Sequence, residues 1–302
     1  MVNSLNDHTR AYQFQNEKKK LKGLILVNVY SRDKEAKLCL NHISKANELL
    51  NLPILVVHQI GNKRVSQILK EYRNQIKHLI EIDGDNLSAL ENINKNRILG
   101  YSIGFDWMNC DWVLAVEEDT LIARDSIFFV EQIMERYHKA LLFRGINLGS
   151  RQPFQSNLLA TYSLLRYGMH GQASAITRKT WEHFDKKVLL EKSASIPFDS
   201  QIENYLKLGF MVTPNLSRYI DIGWNGTHAP KDPNSKYYAE LKNSWVKNLE
   251  VRNNIYFRKD ISHSWREDVE IYKFHKFFSR IYKQNFQKVK NFLVKLKTKS
   301  EN

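Results

Sequence analysis

Three features of this chain predict a doubly wound α/β fold. Four short apolar runs, at Leu24–Tyr30, Ile54–Val57, His78–Ile82 and Trp112–Val116, have the length and continuity of strands buried on both faces. Stretches with apolar residues at helical spacing separate them. Each run also stops at a polar loop, and such strand–helix–strand alternation builds a parallel sheet covered by helices. The composition allows it: of 302 residues, 42% are hydrophobic and 12% aromatic, enough for a sizeable core and too much for wholesale disorder.

Taken in order, residues 1–20 are polar, end in Lys18, Lys19 and Lys20, and read as a solvated lead-in. The first strand gives way to a polar turn at Ser31–Asp33. Leu38, Leu40, Ile43, Ala46, Leu49 and Leu50 then mark a helix, which Asn51–Pro53 stops. The second strand ends at Gln59–Gly61, and Val65–Ile76 fits a helix. The third strand leads into Asp83–Asp85, and Asn96–Met108 is helical before the fourth strand. Further on, Ala140–Phe143 reads as a strand, Ala173–Ile176 as a small apolar stretch and Arg178–Trp181 as a helix start. Phe198–Leu206 fits a helix with Asp199 near its N-terminus, and Gly223–His228 is a glycine-bearing loop. Residues 271–302 differ: nine Lys/Arg against one Glu, with Phe274, Phe278, Ile281, Tyr282, Phe286, Val289, Leu293 and Leu296 at helical spacing. That is a basic amphipathic tail.

A net charge of +14 and a pI near 9.5 point to anionic partners. Cys39 and Cys110 sit in apolar-periodic segments and read as buried reduced thiols. No run approaches the ~18 apolar residues that span a bilayer, and no leader pattern is visible, so the expected address is cytoplasmic. Neither a Gly-x-Gly-x-x-Gly after the first strand nor a Gly-x-x-x-x-Gly-Lys-Ser/Thr occurs, which leaves a dinucleotide fingerprint or P-loop unsupported.

Open α/β sheets bind ligands beyond the carboxyl ends of their strands, here Tyr30–Asp33, His58–Asn62, Asp83–Asn86 and Glu117–Thr120. The sharpest signal among these is Glu117-Glu118-Asp119. Three adjacent carboxylates repel, and a hard divalent cation bridging them to a phosphate would offset that; a solvated, helix-capping turn is the other reading. Asp199 is placed either to cap its helix or to act as a base.

Strand, acidic triplet and the following Leu121–Phe129 resemble the metal-and-nucleotide motif of GT-A fold glycosyltransferases. Val27–Asp33 with Cys39–Ile43 is similar to the first strand–loop–helix of that superfamily. Gln59–Gly61, Gly100-Tyr101, an aromatic helix end, the triplet and Gly223–His228 occur in the order found in the N-acetylglucosaminyltransferase I family (family 13). The resemblance covers roughly residues 21–232. It implies a GT-A-type doubly wound mixed sheet as a single catalytic domain over 21–232, followed by a connecting segment (233–270) and the tail (271–302).

By the same resemblance, Arg32 and Gln59, with Tyr30 beside them, stand at uridine-contacting positions, although the family has Asp where Gln59 stands. Glu117 would lie on the donor, and Glu118 would contact ribose or a metal-bound water. Asp119 would be the direct ligand of Mn²⁺ or Mg²⁺, joined by His228. Asp199 would be the base of an inverting transfer, with Glu203 its rival; the family has paired Asp where this chain has Asp199-Ser200. Gly168 and Gly171 would let backbone approach the donor sugar, and Trp224 would stack on a sugar face or act as a hydrophobic latch. The implied donor is a UDP-sugar such as UDP-N-acetylglucosamine, and the acceptor a glycan or lipid-linked glycan in polysaccharide biosynthesis. The tail would then dock on an anionic membrane surface or pack on the domain, with nucleic acid the weaker third reading. A nucleotidyltransferase and a non-catalytic glycan- or membrane-binding protein are the alternatives.

Overall fold

The structure, a computed structural model, describes residues 21–83, 87–149, 162–165, 172–214 and 217–223. The lead-in, the connecting segment, the basic tail and Gly168, Gly171, Trp224 and His228 lie outside the described residues.

Chain order runs β1 (Gly23–Val29), α1 (Asp33–Asn47), β2 (Ile54–Ile60), α2 (Lys63–Glu71), β3 (His78–Asp83), α3 (Ala89–Ser102) and β4 (Trp112–Glu117). Then follow β5 (Thr120–Ile122), α4 (Ser126–Tyr137), β6 (Phe143–Asn147), β7 (Tyr162–Leu165), β8 (Ala173–Thr177), α5 (Arg178–Glu182), α6 (Lys186–Glu191), α7 (Phe198–Lys207), β9 (Phe210–Pro214) and β10 (Tyr219–Asp221). Among the described residues, eight strands form one sheet in the order β3-β2-β1-β4-β8-β6-β9-β7, and β5 and β10 form a separate antiparallel ribbon. β3, β2, β1 and β4 are parallel, whereas β8 runs antiparallel to both β4 and β6. The sheet is the doubly wound, mixed α/β arrangement that the sequence predicts.

β1 explains the layering. All seven of its residues are buried, and their side chains alternate between two cores. Ile25, Val27 and Val29 pack with Ala36, Cys39, Leu40 and Ile43 of α1 and with Phe129, Ile133 and Met134 of α4. Leu24 and Leu26 pack on the other face with Ile98 and Tyr101 of α3, Trp181 of α5, and Phe198 and Ile202 of α7. Both cysteines are buried and free. No helix among the described residues is long and apolar enough to cross a membrane.

Several elements differ from the sequence reading. α2 stops at Glu71, where the Tyr72 N–H turns back to the Ile68 carbonyl, so Ile76 reaches the core from a turn. α3 begins at Ala89, well before Asn96, capped by Ser88, whose hydroxyl accepts from the Glu91 N–H at 3.2 Å. Its buried face carries Asn94, Asn96 and Arg97, so apolar periodicity understates its length. After Ser102 the chain continues as a π-helical turn, Ile103–Trp107. β6 starts at Phe143; Leu141 and Leu142, whose apolar character suggested the strand, are exposed in the preceding turn. β5, β7, β9 and β10 are strands that the sequence pattern did not reveal.

Gly145 holds the centre of β6, where β8 and β9 both pair. A Cβ there would run into the Ala175 carbonyl of β8, backbone that cannot move aside cheaply. Gly145→Ala is therefore expected to destabilise the chain by about 1–3 kcal/mol in urea unfolding, with the m-value unchanged.

Candidate active site

A cavity of about 810 Å³ opens beyond the carboxyl ends of β1, β2 and β4. Tyr30, Ser31 and Arg32 wall it after β1, and Gln59–Lys63 after β2. Leu87, Ala89, Asn92 and Ile93 contribute from the start of α3, Glu117, Glu118 and Asp119 from the end of β4, and Gln172, Asp221 and Gly223 from the far side.

Glu117 closes β4 in register with Asn28. Its Oε1 accepts a hydrogen bond from Arg97 Nη2 at 2.6 Å, and Arg97 is buried in α3. Glu118 turns the other way and is 5% exposed. Its carboxylate accepts the backbone N–H groups of Tyr30 at 2.7 Å, Ser31 at 3.3 Å and Arg32 at 3.4 Å. The resemblance gave Glu118 a ribose or bound-water contact; here its oxygens brace the β1–α1 loop. Asp119 pairs with the Arg32 guanidinium through Oδ2.

Asp221 is the residue the sequence reading missed. β10 lies antiparallel to β5 with Asp221 opposite Thr120, and the Ile222 N–H reaches the Asp119 carbonyl at 2.8 Å. This brings the two carboxylates into one electrostatic neighbourhood. Asp221 accepts from the Gly223 N–H at 2.7 Å and from the Gln172 amide, which is itself held by the Tyr219 hydroxyl at 2.9 Å. The available signal was an acid ending the apolar Tyr219-Ile220 pair.

Burial raises all four carboxyl groups above their ordinary range. For Glu118 it outweighs the three N–H donors and carries the value to about 7. For Asp119 the negative charge of Asp221 adds to burial, and Arg32 opposes both. Burial dominates for Glu117 against the opposing Arg97, and for Asp221 against the Gly223 N–H. Burial likewise pushes the Tyr30 phenol far above its usual value.

Asp199 sits in the first turn of α7, and α3 decides where that turn lies. Asn94 Nδ2 donates to the carbonyls of Ser193 at 2.6 Å and Ile196 at 2.9 Å, while its Oδ1 accepts the Phe198 N–H at 2.9 Å. One turn later, Arg97 feels the charges of both Glu117 and Asp199. Asp199 is thus near enough to the Glu117–Arg97 pair for its charge to act on Arg97, although it does not itself line the cavity. Glu203 has no part in that wall and pairs at 2.8 Å with Lys207 on the exposed side of α7. Gln59 lines the cavity, whereas the neighbouring His58 is buried with its Nε2 at 3.2 Å from the Ser66 hydroxyl.

The oxygen-rich pair Asp119 and Asp221 fits a hard divalent cation in donor chemistry and in its surplus of desolvated negative charge. Among the described residues no three acidic, His or Cys side chains converge on one point, so the described residues offer two carboxylates, Asp119 and Asp221.

No protein-family model matches the chain, and no curated protein matches it. Solved structures do. The chain is similar to S. aureus TarS 1-349 in complex with UDP, at 15% identity over 76% of this chain and 71% of that one, with a TM-score of 0.47. It is similar to the mannosyltransferase PcManGT from Pyrobaculum calidifontis in complex with GDP-Man and Mn²⁺, at 12% identity, 83% of each chain and a TM-score of 0.43. A third is the galactosyltransferase LgtC in complex with donor and acceptor sugar analogs, at 13% identity, 81% of this chain, 99% of that one and a TM-score of 0.40.

A carboxyl group whose folded pKa is raised binds its proton more readily in the folded state, so stability falls as pH rises through the interval between the two values. For Glu118 that interval runs from 4.5 to about 7. The urea midpoint is expected to be higher at pH 5.5 than at pH 7.5, and Glu118→Gln to shrink the difference.

Proposed function

We infer that the chain is a metal-dependent glycosyltransferase that moves a sugar from a nucleotide-sugar to a glycan or lipid-linked glycan, with inversion. One observation carries the reading. The acidic triplet ending β4 opens on a cavity large enough for a nucleotide-sugar, with Asp119 beside Asp221. The β1–α1 loop, Tyr30–Asp33, contains no glycine, which disfavours a nucleotidyltransferase, whose triphosphate needs a glycine-rich cradle.

Each part of the wall has a task. Gln59 supplies a side-chain amide on the β2 side, suited to the edge of a base. Arg32 and Lys63 place positive charge where a diphosphate would lie. Mn²⁺ or Mg²⁺ held by Asp119 and Asp221 would neutralise the departing diphosphate. Glu117, fixed by Arg97, lines the cavity on the sugar side. Asp199, next to that pair in the first turn of α7, would take the proton of an acceptor hydroxyl that enters from the α7 side, as the new bond forms opposite the leaving group. UDP-N-acetylglucosamine is the donor that the family 13 resemblance favours. The basic tail, 271–302, suits docking on the anionic inner face of a cytoplasmic membrane, where a lipid-linked acceptor would be met.

A panel of UDP-, GDP-, CMP- and dTDP-sugars with Mn²⁺ tests this. One nucleotide should be released slowly, and Asp119→Ala should abolish the release. With acceptor supplied, Asp199→Asn should lower transfer by about 10²–10⁴-fold. Release that survives both chelation and Asp119→Ala would sink the reading.

A further inference from the structure

Arg32 and a divalent cation compete for the same carboxylate oxygen. The Arg32 guanidinium meets Asp119 at Oδ2, and Asp119 is the residue assigned to the cation above. The geometry of that pair is fixed from several sides. Glu118 holds the Arg32 N–H and the two N–H groups before it, while Asn62 Nδ2 ties the Ser31 carbonyl at 2.6 Å. Asp119 is anchored through its carbonyl to Ile222. Gly223 lies against the pair, where a Cβ would overlap both Asp119 Oδ2 and Arg32 Nη1, so no side chain at 223 separates them. Yet the pair is open to the cavity: the Arg32 side chain is 29% exposed and that of Asp119 17%. An anion entering the cavity reaches Arg32 directly.

Resting on the function inferred above, we propose that Arg32 is an exchange residue: it neutralises Asp119 until a diphosphate draws it away, so that cation and diphosphate load together. With the guanidinium on Asp119, one Asp119 oxygen is occupied and the pair Asp119–Asp221 is left with one net negative charge instead of two to attract a free cation. A diphosphate offers the guanidinium a more highly charged, bidentate partner. Its transfer leaves two carboxylates facing the diphosphate, an arrangement of like charges that a divalent cation resolves. The coupling is reciprocal by thermodynamic necessity: whatever the diphosphate adds to cation affinity, the cation adds to diphosphate affinity. Arg32 sets its size.

The test is Mn²⁺ binding to the full chain, read from loss of the free Mn²⁺ electron paramagnetic resonance signal. It is done with and without inorganic pyrophosphate, against protein-free blanks that account for chelation. Without pyrophosphate, Arg32→Gln and Arg32→Met should bind Mn²⁺ about two- to fivefold more tightly than the parent, since a partly exposed ion pair of this kind is of that order. Adding Asp119→Asn to either variant should remove the gain. Pyrophosphate should tighten Mn²⁺ binding in the parent and do so far less in the Arg32 variants. Circular dichroism checks that each variant is folded. Equal Mn²⁺ affinity in the parent and both Arg32 variants would overturn the exchange while leaving the transferase reading in place. Failure of every form to bind Mn²⁺, with or without pyrophosphate, would overturn both.

Discussion

One carboxylate organises the site. Glu118 receives three consecutive backbone N–H groups from Tyr30, Ser31 and Arg32, across 86 to 88 residues of sequence. These are the N–H groups left over where β1 ends and α1 begins, and a partly buried chain turn cannot leave them without partners. Helix N-termini favour negative charge for the same reason. Docking the end of β4 onto the start of α1 fixes the cavity mouth, aims the Arg32 side chain at Asp119 and sets Tyr30 against the carbonyl of Ile93 in α3. The cost of burying Glu118 shows in its elevated pKa. The loop geometry that results is what makes the neighbouring acids usable.

α3 plays the corresponding part on the opposite side. A helix with Asn94, Asn96 and Arg97 on its buried face contradicts the usual apolar stripe, and a buried polar group destabilises a fold unless it is satisfied. Asn94 meets that condition by capturing three backbone groups of the segment leading into α7. Arg97 meets it through Glu117 and the ring of Phe198, 5.9 Å from its guanidinium. The contacts of Asn94 and Arg97 therefore join the end of β4 to the first turn of α7, where Asp199 lies. Core polarity and site geometry are one feature here.

How much of this was legible in the sequence follows from where each interaction closes. β1, β2 and β4 were plain because strands buried on both faces read as unbroken apolar runs. The triplet's place at a strand end followed from β4 alone. The start of α3 was hidden, since the first residues it buries, Asn94, Asn96 and Arg97, are polar. β5 and β10, three residues each, are too short for any period to register, and Asp221 acquires meaning only through their pairing across about a hundred residues. The bracing part of Glu118 was hidden for a related reason: its partners are backbone groups, which no residue pattern announces. Leu141 and Leu142 illustrate the opposite error, apolar residues that lie exposed beside a strand instead of within it.

Three adjacent acids at a strand end do not form a single anionic patch here, because alternation and the following turn send them to separate partners. Glu117 goes to Arg97, Glu118 to the backbone of the first loop, and Asp119 to Arg32. Two of the three are thus neutralised by guanidinium groups of different character. Arg97 is buried and stacked near an aromatic ring, so leaving Glu117 would strand a charge in the core. Arg32 borders open solvent and can change partners at little cost. Position along the triplet therefore separates a permanent ion pair from an exchangeable one, and the exchangeable one falls on the acid that stands beside Asp221. Substituting the two arginines should for that reason have unlike consequences: loss of Arg97 acts on folding, whereas loss of Arg32 acts on what the site binds.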